Sequence, residues 1–172
     1  MKLIYPFIVA GAMLMSCSPS QQSNNAKDGA YTLQNGLYLL LNEYEEHPGK
    51  AVKGPIVEFS HDFLEGNTAG QPLYLEIDTT ELVRLDLKHA PEGVEQEDKR
   101  INLFITLTEG ASTQLAQFTE KHIGNKVAIV IGGKAVTKHK VRSKIDGGRL
   151  QITRCTDNAC EHLLLELKEN YK

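Results

Sequence analysis

The most regular chemical pattern in the sequence is a run of alternating basic residues. Its members are Lys138, Lys140, Arg142 and Lys144. Because successive side chains of a strand point to opposite faces, an extended backbone would place all four on one side. Two interpretations stay open. Lysines on an edge strand discourage intermolecular pairing, and a basic ridge of this kind is also a candidate contact for acidic lipid headgroups or for an acidic protein partner.

The usual signatures of enzymatic chemistry are missing from the sequence. A phosphate-binding loop ending at Gly133-Lys134 would need Gly at position 128 and Ser or Thr at position 135, and both are Ala. The chain contains neither a G-x-S-x-G nucleophile elbow nor an H-E-x-x-H zinc motif. His61-Asp62 and the acidic residues Glu43, Glu45 and Glu46 would each supply only part of a metal site. We therefore predict that the protein is not an enzyme and uses no metal and no cofactor.

Two cysteines lie close together near the carboxyl terminus. Cys155 and Cys160 surround a predicted helix start, with Thr156 as the candidate N-cap. They would occupy the two positions that make contact in a hydrophobic staple, and in an oxidising compartment we expect a disulfide between them. A redox pair is the weaker alternative because the spacing is C-x4-C instead of C-x-x-C. A zinc site would need two more ligands, and only His162 lies close.

These residues must be positioned by strands and two amphipathic helices. Alternating or continuous apolar runs predict strands within 31–42, 56–59, 73–78, 82–87, 101–107, 127–131, 135–141 and 150–152. Gly132-Gly133 and residues 146–148 are typical of turns, and the acidic stretch 91–100 is typical of a solvated loop.

The two predicted helices are recognised by their apolar spacing. Thr108 can cap the first helix, Gly124 can end it, and its apolar stripe comprises Ala111, Leu115, Phe118 and His122, the last as a boundary residue beside the core. The stripe of the second helix comprises Cys160, Leu163, Leu164 and Leu167. The predicted fold class is α+β, a mainly antiparallel sheet with two amphipathic helices packed on one face.

Composition and the amino terminus indicate where such a domain works. The 172 residues are 41% hydrophobic and 24% charged, which is typical of one globular domain, and the net charge of -3 argues against nucleic acid as a partner. The apolar run 3–15 is shorter than the ~20 residues that cross a bilayer. It ends in Leu14-Met15-Ser16-Cys17, which resembles the lipobox of bacterial lipoproteins.

The lipobox resemblance, together with the polar composition of the residues that follow it, predicts a chain divided into three parts. Residues 1–16 are expected to be a lipoprotein signal peptide, residues 17–30 a flexible tether, and residues 31–172 a single α+β domain. Acyl chains such as palmitate on Cys17 would attach the protein to a membrane. In lipoproteins generally, a residue other than Asp after the acylated cysteine favours sorting to the outer membrane, and Ser18 fits that rule. We therefore expect the protein to lie in the cell envelope, on the periplasmic face of the outer membrane.

Several turn motifs in the second half occur in a fixed order. Thr119 to Gly124 reads Thr-x-x-x-x-Gly, an apolar strand leads to Gly133-Lys134, and Ile145 to Gly148 reads Ile-x-Gly-Gly before the closing helix. Residues 101–170 thereby resemble the head subdomain of the first periplasmic region of SecD and SecDF, auxiliary subunits of the preprotein translocase. The resemblance implies a SecDF head-like core over 101–170 preceded by a strand-rich part over 31–100.

The resemblance implies a function without catalysis, since its motifs are turn and core positions. We expect a membrane-anchored module that contacts exported polypeptide or another envelope protein through a strand edge or a groove, in protein export or envelope assembly. The alternatives are a structural component of an envelope complex and an unrecognised hydrolase assembled from scattered His, Asp and Glu. Lys138-His139-Lys140 replace the small-Ala-Pro segment of the family, so contacts made there by the family are not carried over.

Overall fold

The computed structural model describes residues 33–50, 52–60, 73–97, 101–155, 157–169 and 171. The elements in chain order are β1 Gly36–Tyr44, β2 Ile56–Glu58, β3 Tyr74–Arg84, β4 Glu92–Glu95, β5 Ile101–Thr106, α1 Glu109–Lys121, β6 Lys126–Ile131, β7 Lys134–Lys140, β8 Arg149–Cys155 and α2 Asp157–Glu169. The predicted class, α+β with mainly antiparallel strands and two helices, is confirmed. Within the described residues, no helix is both long and apolar enough to cross a bilayer.

The strands form two sheets instead of the single sheet that was expected. Five strands pair in the order β2-β3-β1-β6-β7, and three pair in the order β4-β5-β8. The two edges of the larger sheet meet at one parallel bridge between Phe59 and Ala135, where Ser60 N donates to Ala135 O at 2.8 Å. The larger sheet is therefore strongly curled.

The interior strand β6, which lies between β1 and β7, buries both of its faces, and this explains its uninterrupted apolar sequence. Val127, Ile129 and Ile131 belong to a core that also includes side chains of both helices and of the smaller sheet. Ala128 and Val130 belong to a second core. That second core takes residues from all five strands of the curled sheet and includes Tyr38, Val57, Leu75, Ile77 and Ala135.

The boundaries of α1 and of the main hairpin agree with the sequence prediction. Thr108 is the N-cap of α1, and its hydroxyl accepts a hydrogen bond from Ala111 N. Gly124 follows the helix with a φ of 91°, a conformation that favours glycine. Gly132 and Gly133 both have positive φ between β6 and β7, as a tight hairpin turn requires.

Two predictions about strands are wrong. Segments 73–78 and 82–87 were expected to be separate strands, but Tyr74–Arg84 is one strand. It pairs with β1 across two register shifts, one that skips residues 79–81 of β3 and one that skips Leu41 of β1. The stretch 91–100 was expected to be a loop, but Glu92–Glu95 is a fully exposed strand paired with β5. Its sequence EGVE has too little apolar character to be recognised, because its pairing depends on β5 and not on burial.

Candidate functional site

An open groove lies beside the second half of β1. This strand pairs with β6 only from Gly36 to Leu39, whereas its pairing with β3 continues to Tyr44. The space beyond the last β1–β6 pair forms a groove of about 800 Å³, lined by Leu39, Leu40, Leu41, Asn42, Glu43, Gly124, Asn125 and Lys126. The groove therefore combines an apolar wall with a strand edge.

The chain before β6 is held away from β1 by its own hydrogen bonds. Gly124 N donates to Val141 O at 2.8 Å, and Val141 N donates to Asn125 O at 2.9 Å. Asn125 N donates to His122 O at 3.0 Å. These backbone groups are thus committed to the end of α1 and to the segment after β7. As a result, residues 40–44 of β1 have no strand partner on their groove side within the described part of the chain.

Two lysines bind one carboxylate that lines the groove. Glu43 accepts a hydrogen bond from Lys126 Nζ at 2.6 Å and another from Lys138 Nζ. Lys126 lies directly opposite Lys140 in the β6–β7 register, an arrangement of like charges that is unfavourable by itself. Burial raises the pKa of Glu43, but the two lysine contacts outweigh burial and lower the pKa below its usual value. The cluster keeps an excess of positive charge.

The predicted basic ridge is divided between two environments. Lys138 and Lys140 share one face of β7, as predicted, and His139 pairs on the opposite face with Val127. The strand ends at Lys140, so the extended backbone expected through Arg142 and Lys144 is not formed. Lys144 Nζ instead lies 3.2 Å from Glu120 Oε2 and 3.8 Å from Asp146 Oδ1. The contact with Glu120 raises the pKa of Lys144.

A buried carboxylate that the sequence did not reveal supports the groove wall. Glu76 in β3 is 1% exposed. Its carboxylate accepts hydrogen bonds from Asn42 Nδ2 at 2.6 Å and from Tyr44 OH at 2.8 Å, and from the backbone N–H groups of Lys53 at 2.7 Å and Gly54 at 2.9 Å. These bonds lower the pKa of Glu76 to about 2. They join the end of β1 and the loop before β2 to β3.

A second charged cluster fixes the end of α1. His122 is 7% exposed, and its Nε2 lies 2.8 Å from Glu81 Oε2 in β3. Lys121 Nζ donates to Glu81 Oε1. Both contacts lower the pKa of Glu81, the bond from Lys121 contributing most. The ring of His122 also packs against Phe118 with centroids 4.7 Å apart, so this histidine has a structural position beside the core.

The family-like turn motifs hold the segment after β7 against α1. The buried Thr119 hydroxyl accepts a hydrogen bond from Ile145 N at 2.9 Å and donates to Leu115 O at 2.8 Å. A Cβ at Gly148 would lie 1.8 Å from Ser112 Oγ. The motif Thr-x-x-x-x-Gly and the motif Ile-x-Gly-Gly are therefore explained by packing.

Some predicted sites fall on residues that the structure does not describe. These are Cys17, the pair His61-Asp62, and the side chains of Cys155 and Cys160. Lipidation of Cys17 and the disulfide between Cys155 and Cys160 therefore stay predictions. Among the described residues, no three His, Cys, Asp or Glu side chains are close enough together to hold a metal ion.

This chain is similar to proteins that are named as protein translocase subunits. Residues 61–170 match the family described as the P1 head subdomain of SecDF. The chain is 30% identical over 117 residues to the protein translocase subunit SecD of Acidaminococcus fermentans, covering 67% of this chain and 24% of that protein. It is 29% identical over 104 residues to SecD of Koribacter versatilis, covering 60% of this chain and 19% of that protein.

A solved structure of SecDF is also similar to part of this chain. A SecDF, described as a membrane component that enhances protein export, has 23% sequence identity and a TM-score of 0.45. The match covers 54% of this chain and 42% of that chain. With 24% and 19% of their lengths covered, this chain spans about a quarter or less of the two curated relatives.

Proposed function

Because the chain belongs to the family of SecDF P1 head subdomains, we propose that it is a non-enzymatic envelope lipoprotein that contacts polypeptides during protein export. The match over residues 61–170 is the observation that carries this proposal. The relatives carry the name of protein translocase subunits. In this role the chain contacts polypeptides that are being exported.

The groove beside β1 is the proposed contact surface. Extended polypeptides bind exposed sheet edges by adding a strand, because main-chain hydrogen bonds form with little regard to sequence. Residues 40–44 offer such an edge, and Leu41, which is 38% exposed, offers an apolar contact beside it. A contact of this kind suits a module that meets many different clients.

The remaining parts of the proposal concern anchoring and location. Acylated Cys17 attaches the protein to the membrane, residues 17–30 act as a tether, and residues 31–172 form the working domain on the periplasmic face of the outer membrane. A disulfide between Cys155 and Cys160 would then close the junction of β8 and α2 in an oxidising compartment.

Two finer features of the fold belong to the same proposal. Both helices contribute side chains to one core, Leu115 from α1 and Leu163 from α2 among them, which supports packing on a common face. The candidate ridge of Lys138, Lys140, Arg142 and Lys144 remains a proposed basic contact for acidic lipid or protein. Its first two members lie on β7 and are the better placed to act together.

Site-specific photocrosslinking tests the proposed function. A benzophenone amino acid at position 41 should crosslink to several exported polypeptides in cells that are actively secreting. The matched control is the same amino acid at position 165, because Leu165 is 59% exposed on α2 and does not line the groove. Equal labelling at both positions, or none at position 41, would contradict the proposal.

A structural role in an envelope complex is the second candidate, and one observation favours it. Val94 is 44% exposed and Phe104 is 36% exposed on adjacent strands of the smaller sheet. Exposed apolar side chains on a sheet are suited to a fixed protein partner. In the same crosslinking experiment, a single partner captured in equal amount at position 104 would support this alternative.

A further inference from the structure

Side-chain ion pairs cross the groove where the backbone pairing of its walls stops. Glu43 lies on β1, and its carboxylate accepts hydrogen bonds from Lys126 Nζ of β6 at 2.6 Å and from Lys138 Nζ of β7. Glu43 and Lys126 both line the groove, one from each wall. The last backbone pair between β1 and β6 is Leu39 with Val127, so the ion pairs connect the walls beyond that point. We call Glu43, Lys126 and Lys138 the ionic strap.

The β1 wall of the groove is fixed from its other face. Asn42 and Tyr44 both donate hydrogen bonds to the buried carboxylate of Glu76. Glu43 lies between them in the strand, and its side chain therefore points to the opposite face. Breaking the contacts of Glu43 would leave the hydrogen bonds to Glu76 in place. The β1 wall can thus keep its position when the ionic strap opens.

The opposite wall is fixed by backbone hydrogen bonds. Gly124 N donates to Val141 O, and Val141 N donates to Asn125 O. Neither bond involves a side chain of the ionic strap. Because both walls are held independently of it, the ionic strap can open by side-chain rotation alone, and its release would leave a preformed strand edge at residues 40–44.

The ionic strap is weak enough to open. The Lys126 side chain is 59% exposed and the Glu43 side chain is 21% exposed. Exposed ion pairs contribute little stability because water competes for both charges, and dissolved salt screens them further. A strand that pairs with residues 40–44 projects side chains on both faces, and those on the face of Glu43 would meet the ionic strap.

On the premise of the proposed function, we infer that the ionic strap regulates the groove, because Glu43 bound to Lys126 and Lys138 competes with an incoming strand and its release opens the edge at residues 40–44. Main-chain pairing supplies the affinity for a client strand. The ionic strap sets how readily that strand reaches the edge. A client without any charge should therefore bind more tightly once the ionic strap is broken.

An uncharged peptide tests this inference. The probe is the end-capped heptapeptide STVTVTS with a neutral dye, which makes no ion pair of its own with the ionic strap. In fluorescence anisotropy with the detergent-solubilised full chain at low salt, Glu43→Gln should bind it about fivefold more tightly than wild type. Added salt should raise the affinity of wild type towards that of the variant. Equal affinities at low salt, or weaker binding by Glu43→Gln, overturn the inference.

Changes at opposite charges distinguish the ionic strap from a general effect of charge. Lys126→Gln should also tighten binding, although it removes a positive charge where Glu43→Gln removes a negative one. Lys126 is exposed, so this variant keeps the test valid if Glu43→Gln is unstable. The double variant should bind no more tightly than Glu43→Gln, because both changes break one contact. Opposite effects of the two single changes, or additive gains in the double variant, overturn the inference.

The matched control removes an acidic side chain that lies outside the groove. Glu45 is exposed and directly follows β1, but it does not line the groove. Glu45→Gln should therefore bind the peptide as wild type does. A gain equal to that of Glu43→Gln would show that net charge and not the ionic strap controls binding, and would overturn the inference.

Crosslinking at position 41 separates this inference from the proposed function. Stronger crosslinking to exported polypeptides in Glu43→Gln than in wild type supports both. If position 41 crosslinks in wild type but wild type and Glu43→Gln bind the peptide equally, or not at all, the inference fails and the proposed function stands. If position 41 crosslinks in neither protein, the proposed function fails, and the inference that rests on it fails too.

Discussion

Glu76 shows how a single carboxylate can organise a strand end. All four of its described hydrogen-bond donors are neutral: two side chains and two backbone amides. A buried carboxylate is tolerated when its lone pairs are filled in this way. Because Asn42 is both a donor to Glu76 and a lining residue of the groove, the carboxylate maintains the shape of the proposed contact surface.

Replacing Glu76 with Gln should destabilise the fold. The amide NH₂ group would face donors where the carboxylate oxygen now accepts, leaving buried groups unsatisfied. We expect Tm to fall by roughly 5–10 °C, measured by circular dichroism. Glu95→Gln on the exposed strand β4 is the matched control and should change Tm by no more than about 2 °C. Equal Tm values for the two variants would show that the hydrogen bonds to Glu76 do not stabilise the fold.

The low pKa of Glu76 makes a separate prediction about acid. Its folded-state pKa of about 2 lies below the ordinary value of 4.5, so the unfolded state binds more protons and stability falls as pH decreases. The contribution is complete above pH 4.5 and is lost between pH 4.5 and about 2. Urea unfolding at several pH values should show the difference between wild type and Glu76→Gln narrowing over that interval. A constant difference would contradict the assigned pKa.

Helix α1 has a role beyond its apolar stripe. Its first turn packs against Gly148, its buried Thr119 holds the amide of Ile145, and its last residues contact Glu81 in β3. Through these contacts α1 fixes the segment between β7 and β8. That segment in turn holds Gly124 and Asn125 away from β1 through Val141. The groove thus depends on a helix that contributes none of its lining residues.

Removing the hydroxyl of Thr119 should loosen this segment. Thr119→Val keeps the volume but leaves Ile145 N without its acceptor, at a cost of about 1–3 kcal/mol in the free energy of unfolding. Hydrogen exchange at Ile145 should become faster. Thr119→Ser retains the hydroxyl and should protect the Ile145 amide nearly as well as wild type. Unchanged exchange in Thr119→Val would rule out the proposed role of this bond.

We propose that the whole protein works as a binding domain on a lipid tether. A tethered module meets its clients at a high local concentration near the membrane. Acyl chains bury many methylene groups, each contributing ~0.8 kcal/mol, so several chains give a durable anchor. The fold needs no catalytic centre to work in this way, because a strand edge and an anchor suffice.

Changing Cys17 to Ser should release the protein from the membrane. Wild type is expected to incorporate labelled palmitate and to enter the detergent phase of a Triton X-114 separation. Cys17→Ser should incorporate no label and stay in the aqueous phase. The double change Cys155→Ser and Cys160→Ser should still incorporate palmitate. An unlabelled wild-type protein would remove the basis for the proposed anchor and location.

Local sequence patterns predicted most of the secondary structure. The cap at Thr108, the stop at Gly124 and the hairpin at Gly132-Gly133 were predictable, because each depends on conformational preferences within a few residues. The apolar run of β6 was predictable for the same reason. The family resemblance was also recognisable from the Thr-x-x-x-x-Gly and Ile-x-Gly-Gly motifs, because these residues pack the segment after β7 against α1.

The candidate site was much less predictable. Glu76 is surrounded by donors 22 to 34 residues away in the chain, and alternation in β3 does not distinguish a buried glutamate from an exposed one. The four basic residues were recognised as a pattern, but the end of β7 at Lys140 and the contact of Lys144 with Glu120 were not. Tertiary packing decides where β7 ends and which carboxylate Lys144 contacts.

Short-range sequence patterns were enough to predict the α+β class, the main turns and the family, because backbone preference and apolar period act over short distances. Tertiary contacts set three further features: the strands divide into two sheets, β3 is one strand, and β1 extends beyond its last pair with β6. These outcomes depend on which distant segments satisfy a backbone N–H or C=O group. The edge of β1 is open as a groove because the nearest backbone groups, those of Gly124 and Asn125, are hydrogen-bonded to His122 and Val141.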